Sequence, residues 1–111
     1  MSPKLPIKSQ RVLTDSKGRM CKIDVSIEQT SDMKKFPPDG KKCVFRVFRE
    51  KVRGSEDFEL VVLIDNHEPL GFHDHDKLPE VHDSRVQVHT TSWQEAWNTF
   101  DSKLKELLNG T

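Results

Sequence analysis

Between Met20 and Gln29 apolar and polar residues alternate without a break. Cys21, Ile23, Val25 and Ile27 fall on one side, and Lys22, Asp24, Ser26 and Glu28 on the other. A period of two is that of an extended strand with one face buried and one wet, the usual state of a strand in an antiparallel sheet. Arg11 to Thr14 predicts a shorter strand before it, and Asp15-Ser16-Lys17-Gly18 supplies the reversal, with Asp opening and Gly closing a tight turn. Cys43 to Val52 and Phe58 to Asp65 make the next pair, joined by Arg53-Gly54-Ser55-Glu56. Here Phe45 and Val47 alternate with Val44 and Phe48, and Leu60-Val61-Val62-Leu63-Ile64 is apolar throughout. Runs of that kind predict central strands covered on both faces.

Residues 30–42 predict a loop, because Pro37-Pro38-Asp39-Gly40 cannot continue a ladder. Lys34, Lys35, Lys41 and Lys42 flank Met33 and Phe36 there, giving a basic loop with an apolar centre. Asp65-Asn66-His67-Glu68 reads as a turn, Pro69 to His75 as a short strand at or near an edge, and Arg85 to Thr90 as a last strand with Val86 and Val88 inward. Ser92-Trp93-Gln94-Glu95 then has the capping-box pattern. Trp93, Trp97, Phe100, Leu104, Leu107 and Leu108 recur at helical spacing up to a stop at Gly110. The expected fold class is α+β: an antiparallel meander of five to six strands with one C-terminal α-helix packed on it. Residues 1–8, with Pro3 and Pro6, read as an extended arm, and residues 9–111 as a single domain. One helix covers one face of a small sheet. The other face calls for curvature or a second subunit, so a homodimer is a natural expectation.

Composition sharpens that picture. At 111 residues, 33% hydrophobic and 32% charged, the chain has room for one modest core, leaner than a typical globular chain's. No run approaches the roughly 18 apolar residues of a membrane span, and the polar start Met1-Ser2-Pro3-Lys4 lacks the apolar region of a signal peptide. Cys21 and Cys43 lie in strand-like runs and read as buried free thiols, which together with the polar start leads to an expected cytoplasmic location. The formal net charge of zero hides an uneven distribution. Residues 1–55 carry 14 Lys/Arg and 6 Asp/Glu, while residues 56–111 carry 4 and 12, giving balances of +8 and −8. Pairing between strands of the two halves would neutralise both.

All five histidines fall between His67 and His89, and two of them stand in Gly71-Phe72-His73-Asp74-His75-Asp76. Imidazole titrates near neutrality and ligates metals, so the cluster poses two chemistries. On a strand, residues two apart share a face, and His73 and His75 would present both rings together. As a metal site the pair supplies two ligands; catalytic zinc wants three and an open position, so His67, His82, Asp65 or Asp83 would have to fold in. As a proton-transfer site, a histidine pair can serve as general base and acid on RNA, where the 2′-hydroxyl attacks and no protein nucleophile is required. Asp74 and Asp76 would raise the histidine pKa values and repel phosphate. The plainest alternative is a polar edge whose histidines face solvent, and His89 is expected to belong there.

The spacing Asp65-Asn66, His67 to Leu70, Gly71, Phe72, His73, Asp74, His75 resembles the D-N-x-x-x-x-G-x-H-x-H pattern of the TumE-like proteins of bacterial toxin–antitoxin operons. The similarity covers about residues 43–108 and includes the order of strands, edge segment and C-terminal helix. It implies a cytoplasmic bacterial protein made beside an antitoxin, with RNA as its target and Asp65, Asn66, His73 and His75 as its catalytic site. Where that pattern often has a basic residue between the histidines, this chain has Asp74. The expectation is therefore a toxin-like protein acting on RNA through His73 and His75, without membrane association and without a resident cofactor or metal. A metal-loaded variant stays open, as does a second class: a non-catalytic, dimeric module that holds a partner through its acidic histidine edge or its basic loop.

Overall fold

The alternating segments become strands and the helical spacing becomes a helix. The computed structural model describes residues 6–30, 32, 34–36, 40–67, 71–81, 84–88 and 92–109. In chain order these give β1 (Ile7–Thr14), β2 (Met20–Gln29), β3 (Lys41–Glu50), β4 (Phe58–His67), β5 (Gly71–Asp74), β6 (Val86–Gln87) and α1 (Trp93–Leu108). The six strands form one sheet in the order β1-β2-β3-β4-β5-β6, and every neighbouring pair is antiparallel. The fold is the expected α+β meander with α1 packed on one face. No helix among the described residues is long and apolar enough to cross a membrane.

The core lies between α1 and the face that carries Cys21, Ile23, Val25 and Ile27 of β2, Cys43, Phe45 and Val47 of β3, and Val62 and Ile64 of β4. Phe45 anchors it, with ring centroids 5.5 Å from Phe100 and 5.9 Å from Trp97. Trp93, Ala96, Phe100 and Leu104 supply the buried stripe of α1. The helix starts where the capping box placed it: the Ser92 hydroxyl accepts from the Glu95 amide at 3.3 Å. At its other end the Asn109 amide donates to the carbonyl oxygens of Lys105 and Leu107. The expected stop, Gly110, lies outside the described residues. Cys21 and Cys43 are buried free thiols, as read from the sequence.

Two hairpin turns are held by carboxylates. At Asp15–Gly18 the Gly18 amide donates to the Asp15 carbonyl at 3.0 Å, and Gly18 takes φ +81°, the left-handed region that favours glycine. Asp15 Oδ1 accepts from the amides of Lys17 and Arg19, both at 2.9 Å. Glu50 ends β3. It is 1% exposed, and its oxygens accept from the Met20 amide at 2.8 Å and the Glu56 amide at 2.9 Å. That inward turn is why β3 stops at Glu50 instead of continuing to Val52, which is exposed.

Other departures have equally local causes. β1 begins at Ile7, four residues before Arg11, because Ile7 sits opposite Ile27 and packs on the core while Lys8 pairs with Glu28 at 3.2 Å. The expected arm is thus already a strand at residues 7 and 8, and residues 1–5 lie outside the described ones. The apolar run Leu60 to Ile64 reflects a bulge more than two-sided burial. The β3–β4 register shifts between Val47 and Phe48, which sends both Val61 and Val62 toward the core, while Leu60 and Leu63 are half-buried. Val88 packs on the core as expected and its amide donates to the Phe72 carbonyl at 2.8 Å, but Val86 is 50% exposed; among the described residues the last strand is Val86–Gln87. The charge halves do not simply cancel: Lys8–Glu28 and Arg46–Asp24 join partners within the basic half, and Lys103–Asp74 within the acidic half.

Phe100→Ala removes the ring at the centre of this packing and is expected to destabilise the fold by about 3–5 kcal/mol in urea unfolding. A loss under 1 kcal/mol would mean that α1 contributes little to the core. The Glu50 carboxyl is held below its ordinary value of 4.5 by the amides of Met20 and Glu56, against the opposing effect of burial. Its stabilisation is therefore present above the unfolded-state value and lost as pH falls through the lowered one. Glu50→Gln should be less stable than wild type near pH 7, and the difference should shrink below pH 4.5. A difference independent of pH between 7 and 3 would contradict this.

Candidate functional site

Strand pairing assembles the site. In the β4–β5 register Asp65 stands directly opposite His73, and Ile64 opposite Asp74. Ile64 belongs to the core under α1, so alternation turns Asp65, His73 and His75 to the face away from the helix. The His75 amide extends the pairing past β5 by donating to the Leu63 carbonyl at 3.0 Å. This corrects the expected turn at 65–68: Asp65, Asn66 and His67 are residues of β4. The reason is Asn66. Its amide oxygen accepts from the Cys43 amide at 2.8 Å and its NH2 donates to the Lys41 carbonyl at 2.7 Å. One side chain thereby satisfies the end of β3 and lets β4 run on to pair with β5.

Both imidazoles point at one carboxylate oxygen. His73 Nε2 lies 2.6 Å from Asp65 Oδ1 and His75 Nε2 lies 3.4 Å from it, with the two ring centroids 5.1 Å apart. His73 Nδ1 is 2.9 Å from the Gly71 carbonyl oxygen, to which it donates. The 2.6 Å Nε2–Oδ1 contact is of ion-pair length and is strengthened when the ring is protonated. The hydrogen bond to Asp65 raises the His73 pKa against the effect of burial; the Gly71 carbonyl adds to the rise, and Arg85 opposes it. Burial pushes the Asp65 carboxyl up, but the His73 hydrogen bond and the charges of both rings outweigh it and leave the value lowered. His73 is 2% and His75 6% exposed, so neither faces solvent as a plain polar edge would have it.

The acidic neighbours are held out of this centre. Asp74 faces the helix side and forms an ion pair with Lys103. Asp76 accepts from the Ser84 hydroxyl at 3.0 Å. The carboxylate that acts on His73 is Asp65, across the ladder, and not the sequence neighbours Asp74 and Asp76. Beside the trio lies a cavity of about 310 Å³, walled by Phe36, Lys42, Val44, Asp65, His73 and Arg85. His75 touches Asp65 from behind and is not on that wall. Lys42 and Phe36 come from the basic loop region singled out in the sequence. Arg85 carried no signal beyond opening the last strand. His67 ends β4 opposite Gly71, and His82, Asp83 and His89 lie outside the described residues.

Three of the four expected site residues therefore converge, with donor atoms of Asp65, His73 and His75 within 4.8 Å of one another. Asn66 lines the same cavity, yet its amide is engaged by the backbone of β3. Asn66→Ala leaves a buried amide and a carbonyl without partners and is expected to cost about 2–4 kcal/mol in urea unfolding. An unchanged stability would free Asn66 from that structural role. No family model matches the chain, and neither a curated protein nor a solved structure shows significant similarity to it.

Proposed function

We propose that the chain is an RNA-directed toxin of the TumE-like kind, with the Asp65–His73–His75 centre as its reacting group. The observation that carries the reading is the juxtaposition of that centre with two cations, Lys42 and Arg85, around one cavity. A phosphodiester is an anion whose reacting atoms need proton acceptors and donors on one side and positive charge on the other. In RNA the 2′-hydroxyl attacks the adjacent phosphorus, its proton leaves, the bond to the 5′-oxygen breaks, and that oxygen gains a proton. Asp65 and His73 sit on the wall where the ribose would approach, and Lys42 and Arg85 would receive the phosphate oxygens. The acidic stretch that argued against RNA is turned aside, since Asp74 faces α1 and Lys103. Phe36, half-buried at the cavity with Lys35 Nζ 5.5 Å from its ring centroid, stands where a base would reach. A cytoplasmic setting and a protein antitoxin belong to the same proposal.

Induction of the chain in a bacterial host is expected to stop growth, and the purified protein to cleave RNA but not the same strand with 2′-deoxyribose at the cut site. Asp65→Ala, His73→Ala and His75→Ala should each lower cleavage about 100-fold or more and restore growth. Lys42→Ala with Arg85→Ala should act mainly through KM. Undisturbed growth together with uncut RNA would overturn the reading.

A further inference from the structure

We infer that Asp65, His73 and His75 form a binding site for a single first-row divalent cation of the zinc class, with an open coordination position facing the Lys42–Arg85 cavity. The inference stands on the geometry of the trio and does not depend on the RNA reading.

The donor set comes first. Two imidazole nitrogens and one carboxylate oxygen suit zinc, manganese, iron, cobalt or nickel better than magnesium or calcium, which prefer oxygen donors alone. The three donor atoms already converge, all within 4.8 Å of one another. Ligands about 2.1 Å from a tetrahedral ion stand roughly 3.4 Å apart. His75 Nε2 and Asp65 Oδ1 are separated by 3.4 Å as they stand. His73 Nε2, at 2.6 Å from the same oxygen, would have to open by about 0.8 Å, and the two histidine nitrogens, within 4.8 Å, to close by up to about 1.4 Å.

The surroundings are those of a built ligand set. The Gly71 carbonyl holds Nδ1 of His73 and so aims Nε2 inward, the usual outer support of a metal-bound histidine. His73 and His75 are each nearly buried, and their backbone is fixed by the pairing of β4 with β5. Asp74, which could crowd the set with a second carboxylate, is held on the other face by Lys103. Cys21 lies in the core under α1; Cys43 also borders the cavity, but its thiol is 3.5 Å from the Lys41 carbonyl and is not among the converging donors.

Among the described residues three protein ligands converge, which leaves a position free, the arrangement of catalytic rather than structural zinc sites. Asp65 and His73 are on the cavity wall while His75 is behind them, so the free position opens toward Lys42 and Arg85. A divalent ion with one carboxylate keeps a net positive charge, and those two cations add to it. The fourth ligand the site favours is consequently an anion: hydroxide, a carboxylate or a phosphate oxygen.

The test uses untagged full-length protein stripped with EDTA and dialysed, titrated with Zn²⁺, Mn²⁺ and Mg²⁺ by calorimetry and with Co²⁺ by visible absorption. One equivalent of Zn²⁺ should bind at least tenfold tighter than Mg²⁺, and Co²⁺ should show the visible bands of a low-coordinate site without a near-ultraviolet thiolate band. His75→Gln and Asp65→Asn should weaken Zn²⁺ binding about 100-fold or more, and Lys51→Ala, at the exposed Lys51–Asp57 pair, should leave it within a few-fold. Near-ultraviolet circular dichroism checks that each variant is folded. The inference is overturned if folded wild-type protein takes up no Zn²⁺ or Co²⁺, if the two ligand variants bind as wild type does, or if the cobalt spectrum shows thiolate ligation. RNA cleavage by stripped protein that also takes up no Zn²⁺ or Co²⁺ on titration would remove the cation and leave the RNA reading standing. Tight stoichiometric Zn²⁺ without toxicity would do the reverse.

Discussion

One pairing organises the molecule's chemistry: Asp65 of β4 faces His73 of β5, and His75 closes on the same oxygen from one pleat further on. Asp65 is half-buried, but its Oδ1 is shut off from water, and a buried carboxylate oxygen is costly unless it is hydrogen-bonded or charge-compensated. The two rings stand against that oxygen at 2.6 and 3.4 Å and offset its charge. Register is all-or-none here. A one-residue slip of β5 would bring Asp74 against the carboxylate face and turn both histidines toward the helix.

The rest of the fold fixes that register. Asn66 completes the hydrogen bonding at the end of β3, so β4 can leave β3 and go on to pair with β5. α1 covers only one face, and its stripe of Trp93, Ala96, Phe100 and Leu104 seats on Phe45 and its neighbours. That leaves the opposite face free to carry a polar centre and a cavity. Asp74 and Lys103 mark the division between the two faces, since the aspartate between the histidines is spent on anchoring the helix. Two carboxylates, Asp15 and Glu50, brace the distant hairpins by accepting backbone amides.

How much of this could be read from the chain depended on whether the cause was local. Strand alternation, the Asp15–Gly18 turn and the Ser92 cap are written in short windows, and each stands where its residues placed it. The shared face of His73 and His75 followed from strand period alone. The position of Asp65 did not, because the Asp65-Asn66 pair looks like a turn and becomes strand only when the Asn66 side chain meets β3. The bulge at Val61 likewise depends on the partner strand, and an apolar run cannot reveal it. Asp74 was misleading for a related reason: adjacency in sequence on a strand means opposition in space. Lys42 and Arg85 reach the cavity from opposite sides of the trio in sequence, and only the closed sheet brings them together.

The coupling between Asp65 and His73 is the claim on which the site rests, and a double-mutant cycle measures it directly. Urea unfolding at pH 7 of wild type, Asp65→Asn, His73→Gln and the double variant should give an interaction energy of about 1–3 kcal/mol. The same cycle run on Asp74→Asn with His73→Gln, neighbours on opposite faces, should be additive to within about 0.5 kcal/mol. Additivity at Asp65 and His73, or a coupling confined to Asp74, would contradict the assembly described.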